Sequence, residues 1–194
     1  MLYSIYAEST PNPEVMKFVA NRMLAVKSIE VSTMAEAQGI SIAEELLKFP
    51  FVKSLYLSSN FISISKIETI EWENIAMQLR IFIADFLNEQ GIKNYTEHLK
   101  DNQKQEINIA IEKKKEFSAK EKEIEAILDQ YIKPAVESDG GAITLQSLEG
   151  NIVTVNLKGA CSGCPSATIT LKDGIETLLK QKFHSDIEVI ADEE

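Results

Sequence analysis

Short alternating runs of apolar and polar residues fill the first ninety or so positions, broken by two stretches of helical spacing. Leu2-Tyr3-Ser4-Ile5-Tyr6-Ala7 alternates as a strand does, and Thr10-Pro11-Asn12-Pro13 stops it as a turn. Met16 to Val19 and Lys27 to Val31 can form further strands. Ser41-Ile42-Ala43-Glu44 has the spacing of a capping box, which predicts a helix from Ser41 that ends near Phe49-Pro50. Val52 to Leu57 and Phe61 to Ser65 alternate around Ser58-Ser59-Asn60, a hairpin signal. From Trp72 to about Glu89 the period changes. Ile75, Leu79, Phe82, Ile83 and Phe86 share one face of a longer helix, and Gly91 is placed to end it.

The pattern dissolves between Ile92 and Phe117. Lys, Glu, Asn and Gln dominate there, with one apolar patch, Ile107-Asn108-Ile109-Ala110-Ile111, and the stretch reads as a charged linker. Periodicity resumes with a second capping box, Ser118-Ala119-Lys120-Glu121. Ile124, Ile127, Leu128, Tyr131 and Ile132 then line a helix that Pro134 and Asp139-Gly140-Gly141 close. Ala142 to Leu148 and Ile152 to Leu157 predict a hairpin about Glu149-Gly150-Asn151. Leu171, Ile175, Leu178 and Leu179 mark a last helix, and Ile187 to Ile190 a last strand. The expected fold is α/β (α+β) with two small domains: residues 1–91, a charged linker over 92–117, and 118–194 in the order α-β-β-α-β.

Composition narrows the classes of function. The formal net charge is −10, which repels nucleic-acid backbones, and the densest basic run, Lys113-Lys114-Lys115, is flanked by Glu112 and Glu116. No apolar run approaches the roughly 18 residues of a membrane span. The first residues show neither a basic region with a cleavage site nor the character of a transit peptide, so no nucleic-acid or membrane partner is expected and the cytoplasm is the expected location.

Cys161 and Cys164 are the only cysteines. With no disulfide framework to build, two thiols at i and i+3 point to a metal, a cluster or redox exchange. They lie between an alternating strand, Ile152 to Leu157, and a helix that opens with Pro165, where a missing N–H costs nothing. Free N–H groups and the helix dipole at such a turn are expected to lower a thiol's pKa and to favour anionic sulfur. A thioredoxin-like dithiol oxidoreductase also places its cysteines at a helix start. It needs a later cis-proline facing the pair, and no proline follows Pro165. Zinc needs four ligands, and within the chain only His184 offers itself as a third; a zinc site built from the four cysteines of a dimer stays open. His98 and His184 read as surface residues, Trp72 as core, and Asp139-Gly140-Gly141 as a helix stop with glycine in the left-handed conformation.

Asp139-Gly140-Gly141, then Gly159-Ala160-Cys161-Ser162-Gly163-Cys164-Pro165-Ser166-Ala167-Thr168, then Gly174-Ile175-Glu176 resembles the C-terminal domain of NifU-like (Nfu-type) iron–sulfur cluster proteins, over Ser118 to Ile190. Thr10-Pro11-Asn12-Pro13, Met16-Lys17-Phe18, Phe49-Pro50 and Val52-Lys53-Ser54-Leu55-Tyr56 resemble the N-terminal domain of the same family. The resemblance implies a non-enzymatic carrier. It would hold a 4Fe–4S cluster (or 2Fe–2S) through Cys161 and Cys164 and pass it to apo-proteins, with cluster-assembly proteins as further partners. Thiol count agrees: such clusters take four thiolates, one chain supplies two, and a homodimer supplies four. Longer NifU proteins carry further cysteine-rich domains for which this chain has no cysteines, so a late carrier is expected rather than a primary scaffold.

Overall fold

A computed structural model of the chain describes residues 2–90, 117–162 and 165–192, with residues 165–168 as backbone alone. The chain divides into two compact units, Met1–Ile111 and Glu112–Glu194. Gly91 and the expected linker fall outside the described residues, save Phe117, which packs on the core of the second unit. Among the described residues no helix is long and apolar enough to cross a membrane.

The first unit is a five-stranded antiparallel sheet with helices. Its strands are β1 (Ile5–Ser9), β2 (Val15–Ala20), β3 (Ala25–Val31), β4 (Val52–Ser59) and β5 (Phe61–Lys66), in the order β1-β2-β5-β4-β3. Period-two alternation gives each strand one apolar face. Ala7, Phe18, Ile62, Leu57 and Ile29 lie opposite one another across the five strands. Phe18, Leu57 and Ile62 are buried with Ile75, Leu79, Ile83 and Leu87 of α2 (Trp72–Gln90). Leu87 takes a buried place on this helix, while Phe82 and Phe86, expected on the inner face, stand partly buried at its margin.

Helix α1 (Ser41–Leu46) forms, but not through the expected capping box. Its N-cap is Ile40, with no side-chain cap. Glu44 reaches back two residues further than the motif requires, and its Oε1 accepts from the Gly39 N–H at 2.8 Å. Gly39 has φ +87, which moves the chain entry one residue upstream of the serine.

In the second unit the serine signal holds. Ser118 caps α3 (Ala119–Ile127), its Oγ accepting from the Glu121 N–H while the Glu121 carboxylate accepts from the Ser118 N–H, at 3.2 and 2.8 Å. The other Glu121 oxygen accepts from the Leu148 N–H at 3.3 Å, so a buried carboxylate ties the helix start to the sheet. Pro134 does not close the helix as expected. A π-helical turn, Leu128–Ile132, widens the spiral ahead of α4 (Lys133–Ser138). Proline lacks an N–H and crowds the carbonyl four residues earlier, and a wider turn absorbs both defects without ending the helix. The turn also rotates Tyr131 outward. It is 45% exposed, with the Lys182 ammonium 4.3 Å from its ring centroid.

Asp139 and Gly140 then end the helix, Gly140 at φ +84, which is the left-handed stop the sequence predicts. β6 (Gly141–Glu149) and β7 (Ile152–Gly159) form an antiparallel hairpin. β8 (Glu188–Asp192) pairs in parallel with β7, so the sheet runs β6-β7-β8. A parallel partner requires a crossover, and α5 (Pro165–Lys182) supplies it. Val153, Val155, Leu157, Ile175, Leu179 and Val189 fill the core between sheet and helices.

Candidate metal centre

The cysteine segment is the turn between the central strand β7 and the crossover helix α5. In a βαβ crossover this turn sits at the C-terminal edge of the strands, where loops carry ligand sites and a helix start presents free N–H groups. Gly159 ends β7 at φ +64 and lies opposite Gly141 across the ladder. The Ala160 N–H donates to the Gly140 carbonyl at 3.2 Å, drawing the turn onto the Asp-Gly-Gly corner. Ser162 tightens it, donating from its N–H and its Oγ to the Gly159 carbonyl at 3.2 and 2.9 Å.

Cys161 faces inward. It is 8% exposed and belongs to the buried core cluster of the second unit, with Ile124, Leu128, Val136 and Leu157 among its members. Gly163 and Cys164 lie outside the described residues. Helix α5 starts at Pro165, where the first-turn proline was expected.

The expectation of a lowered thiol pKa fails at Cys161. Burial pushes this thiol up from 9.0 to about 11, and the nearby Asp139 carboxylate adds to the rise. The sulfur sits on the core side of the turn, where loss of water outweighs the helix field. A sign follows for the metal-free protein. The folded state holds this proton more tightly than the unfolded state, so the stabilisation is complete below about pH 9 and is lost as pH rises through about 11. Thermal unfolding of the metal-free chain should show a loss of about 3 kcal/mol across that window relative to Cys161→Ala. Equal pH profiles for the two proteins would contradict it.

The Asp-Gly-Gly corner is favoured by the sequence as a helix stop over a direct cluster contact, and its second glycine does more than stop the helix. Gly140 makes the stop, while Gly141 lies against the cysteine: a Cβ built on it would stand 2.7 Å from Cys161 Sγ. The only trace of this in the sequence is the doubled glycine, since a single left-handed residue needs one. His184 is exposed, as expected, its Nδ1 accepting from the Asp186 N–H at 3.3 Å, and His98 lies outside the described residues. Among the described residues no group of three or more His, Cys, Asp or Glu is placed to hold a metal ion.

Fold and turn together define a thiol-bearing βαβ module preceded in the chain by an antiparallel α+β unit. Comparison with known proteins gives this class its family. Residues 5–90 match the family model described as scaffold protein Nfu/NifU N terminal, and residues 124–190 match that of the NifU-like domain. The chain belongs to the Nfu-type family of NifU-like proteins. It is 33% identical over 185 residues to the "NFU1 iron-sulfur cluster scaffold homolog, mitochondrial" of Drosophila willistoni, covering 91% of this chain and 59% of that protein. It is 32% identical over 178 residues to the Homo sapiens protein of the same name, covering 91% of this chain and 66% of that one. The chain thus spans less than two thirds of the length of these relatives. The solution NMR structure of a NifU-like protein from Saccharomyces cerevisiae aligns over 44% of this chain and 79% of its own, at 25% identity and a TM-score of 0.39.

Proposed function

We propose that this protein carries an iron–sulfur cluster between two copies of itself and hands it to apo-proteins, without catalysing a reaction of its own. One observation carries the reading: the chain's two cysteines lie in the turn between a strand and a helix, and no further cysteine exists to complete a set of four. Cys161 and Cys164 of each copy would be the ligands of one 4Fe–4S cluster, with a 2Fe–2S cluster as the smaller alternative. The relatives' printed role as cluster scaffolds supports the same cargo. Residues 118–194 would form the cluster-bearing domain and residues 92–117 its tether. Residues 1–91, which hold no cysteine, would bind clients or assembly proteins and raise their effective concentration at the cluster. A reducing compartment, the cytoplasm in this reading, keeps such a pair as thiols.

A dithiol oxidoreductase fits less well. Such enzymes need a later cis-proline facing the pair, and no proline follows Pro165. Anaerobic reconstitution with iron and sulfide decides the matter. About two irons and two sulfides per chain, with a dimeric mass in solution, are expected for one shared 4Fe–4S cluster. Stoichiometric zinc with no iron uptake would overturn the reading in favour of a dimeric zinc module. Thiol–disulfide turnover by a cluster-free monomer would overturn it in favour of the oxidoreductase.

A further inference from the structure

The buried position of Cys161 conflicts with its proposed task. A sulfur that joins a cluster shared by two copies must reach the surface where they meet, and this residue is 8% exposed, counted in the buried core of its unit. What lets it sit there is a missing side chain. Gly141 opens β6 directly opposite Gly159, and the hydrogen bond from the Ala160 N–H to the Gly140 carbonyl pulls the turn down onto that corner. A Cβ at position 141 would stand 2.7 Å from Cys161 Sγ, 3.1 Å from Cys161 Cβ and 2.7 Å from the Lys158 carbonyl oxygen. Contacts under 3.0 Å are not tolerated, so any other residue here would displace the sulfur or open the strand pair.

We propose that Gly141 is a positioning residue, a seat that stows the Cys161 sulfur inside the fold while the protein is empty, and that loading a cluster requires the sulfur to leave this seat. The inference rests on Cys161 being a cluster ligand. It gives the empty carrier two states of the turn, stowed and presented, and only the presented one is competent. The apparent affinity for cluster is then reduced by the fraction of chains that present the sulfur. The stowed state also slows reaction of the Cys161 thiol with reagents in solution, because a buried side chain reacts only when the structure opens locally.

The test reads the metal-free, full-length chain, so its outcome does not depend on which metal the protein takes. Iodoacetamide labelling of Cys161, followed by peptide mass spectrometry, is compared between native and denatured protein for wild type, Gly141→Ala and Gly174→Ala. The control position has open space where a Cβ would be. Wild type and Gly174→Ala should label Cys161 at least roughly tenfold more slowly when native than when denatured. Gly141→Ala should lose most of that protection while keeping its circular dichroism, and should take up iron and sulfide faster than wild type. Labelling of native wild type at the denatured rate would overturn the proposal, as would full protection in a folded Gly141→Ala. Should Gly141→Ala fail to fold, the double variant Gly141→Ala/Cys161→Ala separates the two clashes. A loss of stability smaller than in the Gly141→Ala single variant convicts the sulfur; an equal loss convicts the Lys158 carbonyl and overturns the seat.

Discussion

Replacing Cys161 with alanine is expected to abolish stable cluster uptake while leaving both units folded. Two copies of the variant bring only their two Cys164 thiols to the site, half of what a cluster needs. The structural cost is small by comparison. The buried thiol behaves as a small apolar group, and its loss trims one atom from a core built on Val153, Val155, Leu157, Ile175 and Leu179, at about 1 kcal/mol. Cys164→Ala should lose the cluster equally, because the argument is one of ligand number. Iron and sulfide per chain after anaerobic reconstitution, beside circular dichroism of the same samples, checks both. Wild-type iron content in either variant would remove that cysteine from the ligand set.

The largest effect on stability is expected from Phe18→Ala. Phe18 is fully buried at the middle of β2, opposite Ala7 and Ile62, and its ring meets Trp72 edge-on at 6.4 Å. Emptying such a site costs about 3–5 kcal/mol, a large share of the roughly 5–15 kcal/mol that hold a domain together. The cores of the two units share no residue, so the loss should fall on the first unit alone. Calorimetry should show one transition moved down and a second in place, with cluster uptake intact and transfer to clients slowed. A single transition that shifts as a whole would mean that the two units fold as one, and would count against separate roles for them.

The sequence was most legible where a pattern is local. Alternation placed β2, β4, β5, β6 and β7 to within a few residues, and Ser118 with Glu121 formed both bonds of the predicted box. It was least legible where two signals compete or where the partner is distant in the chain. Ser41 carried the same box spacing and does open the helix, yet the N-cap is Ile40, preceded by the left-handed Gly39, and no side-chain box forms. Pro134 was read as a stop, and a π turn carried the helix past it. The cysteine pair was plain by its spacing and its strand-to-helix setting. The state of Cys161 was not, because it depends on which side of the turn the sulfur takes. That in turn depends on the pairing of Gly141 with Gly159, eighteen positions apart in the chain.

The Glu121 carboxylate has a mechanical meaning. It binds the start of α3 to Leu148, at the hairpin end of β6, whereas Gly141 and the cysteine turn occupy the other end of the same strand. Seven residues of strand, about 24 Å, separate the two. Any pull that reaches Ser118 from the preceding chain is therefore grounded at the heel of the hairpin, far from the toe that bears the sulfur.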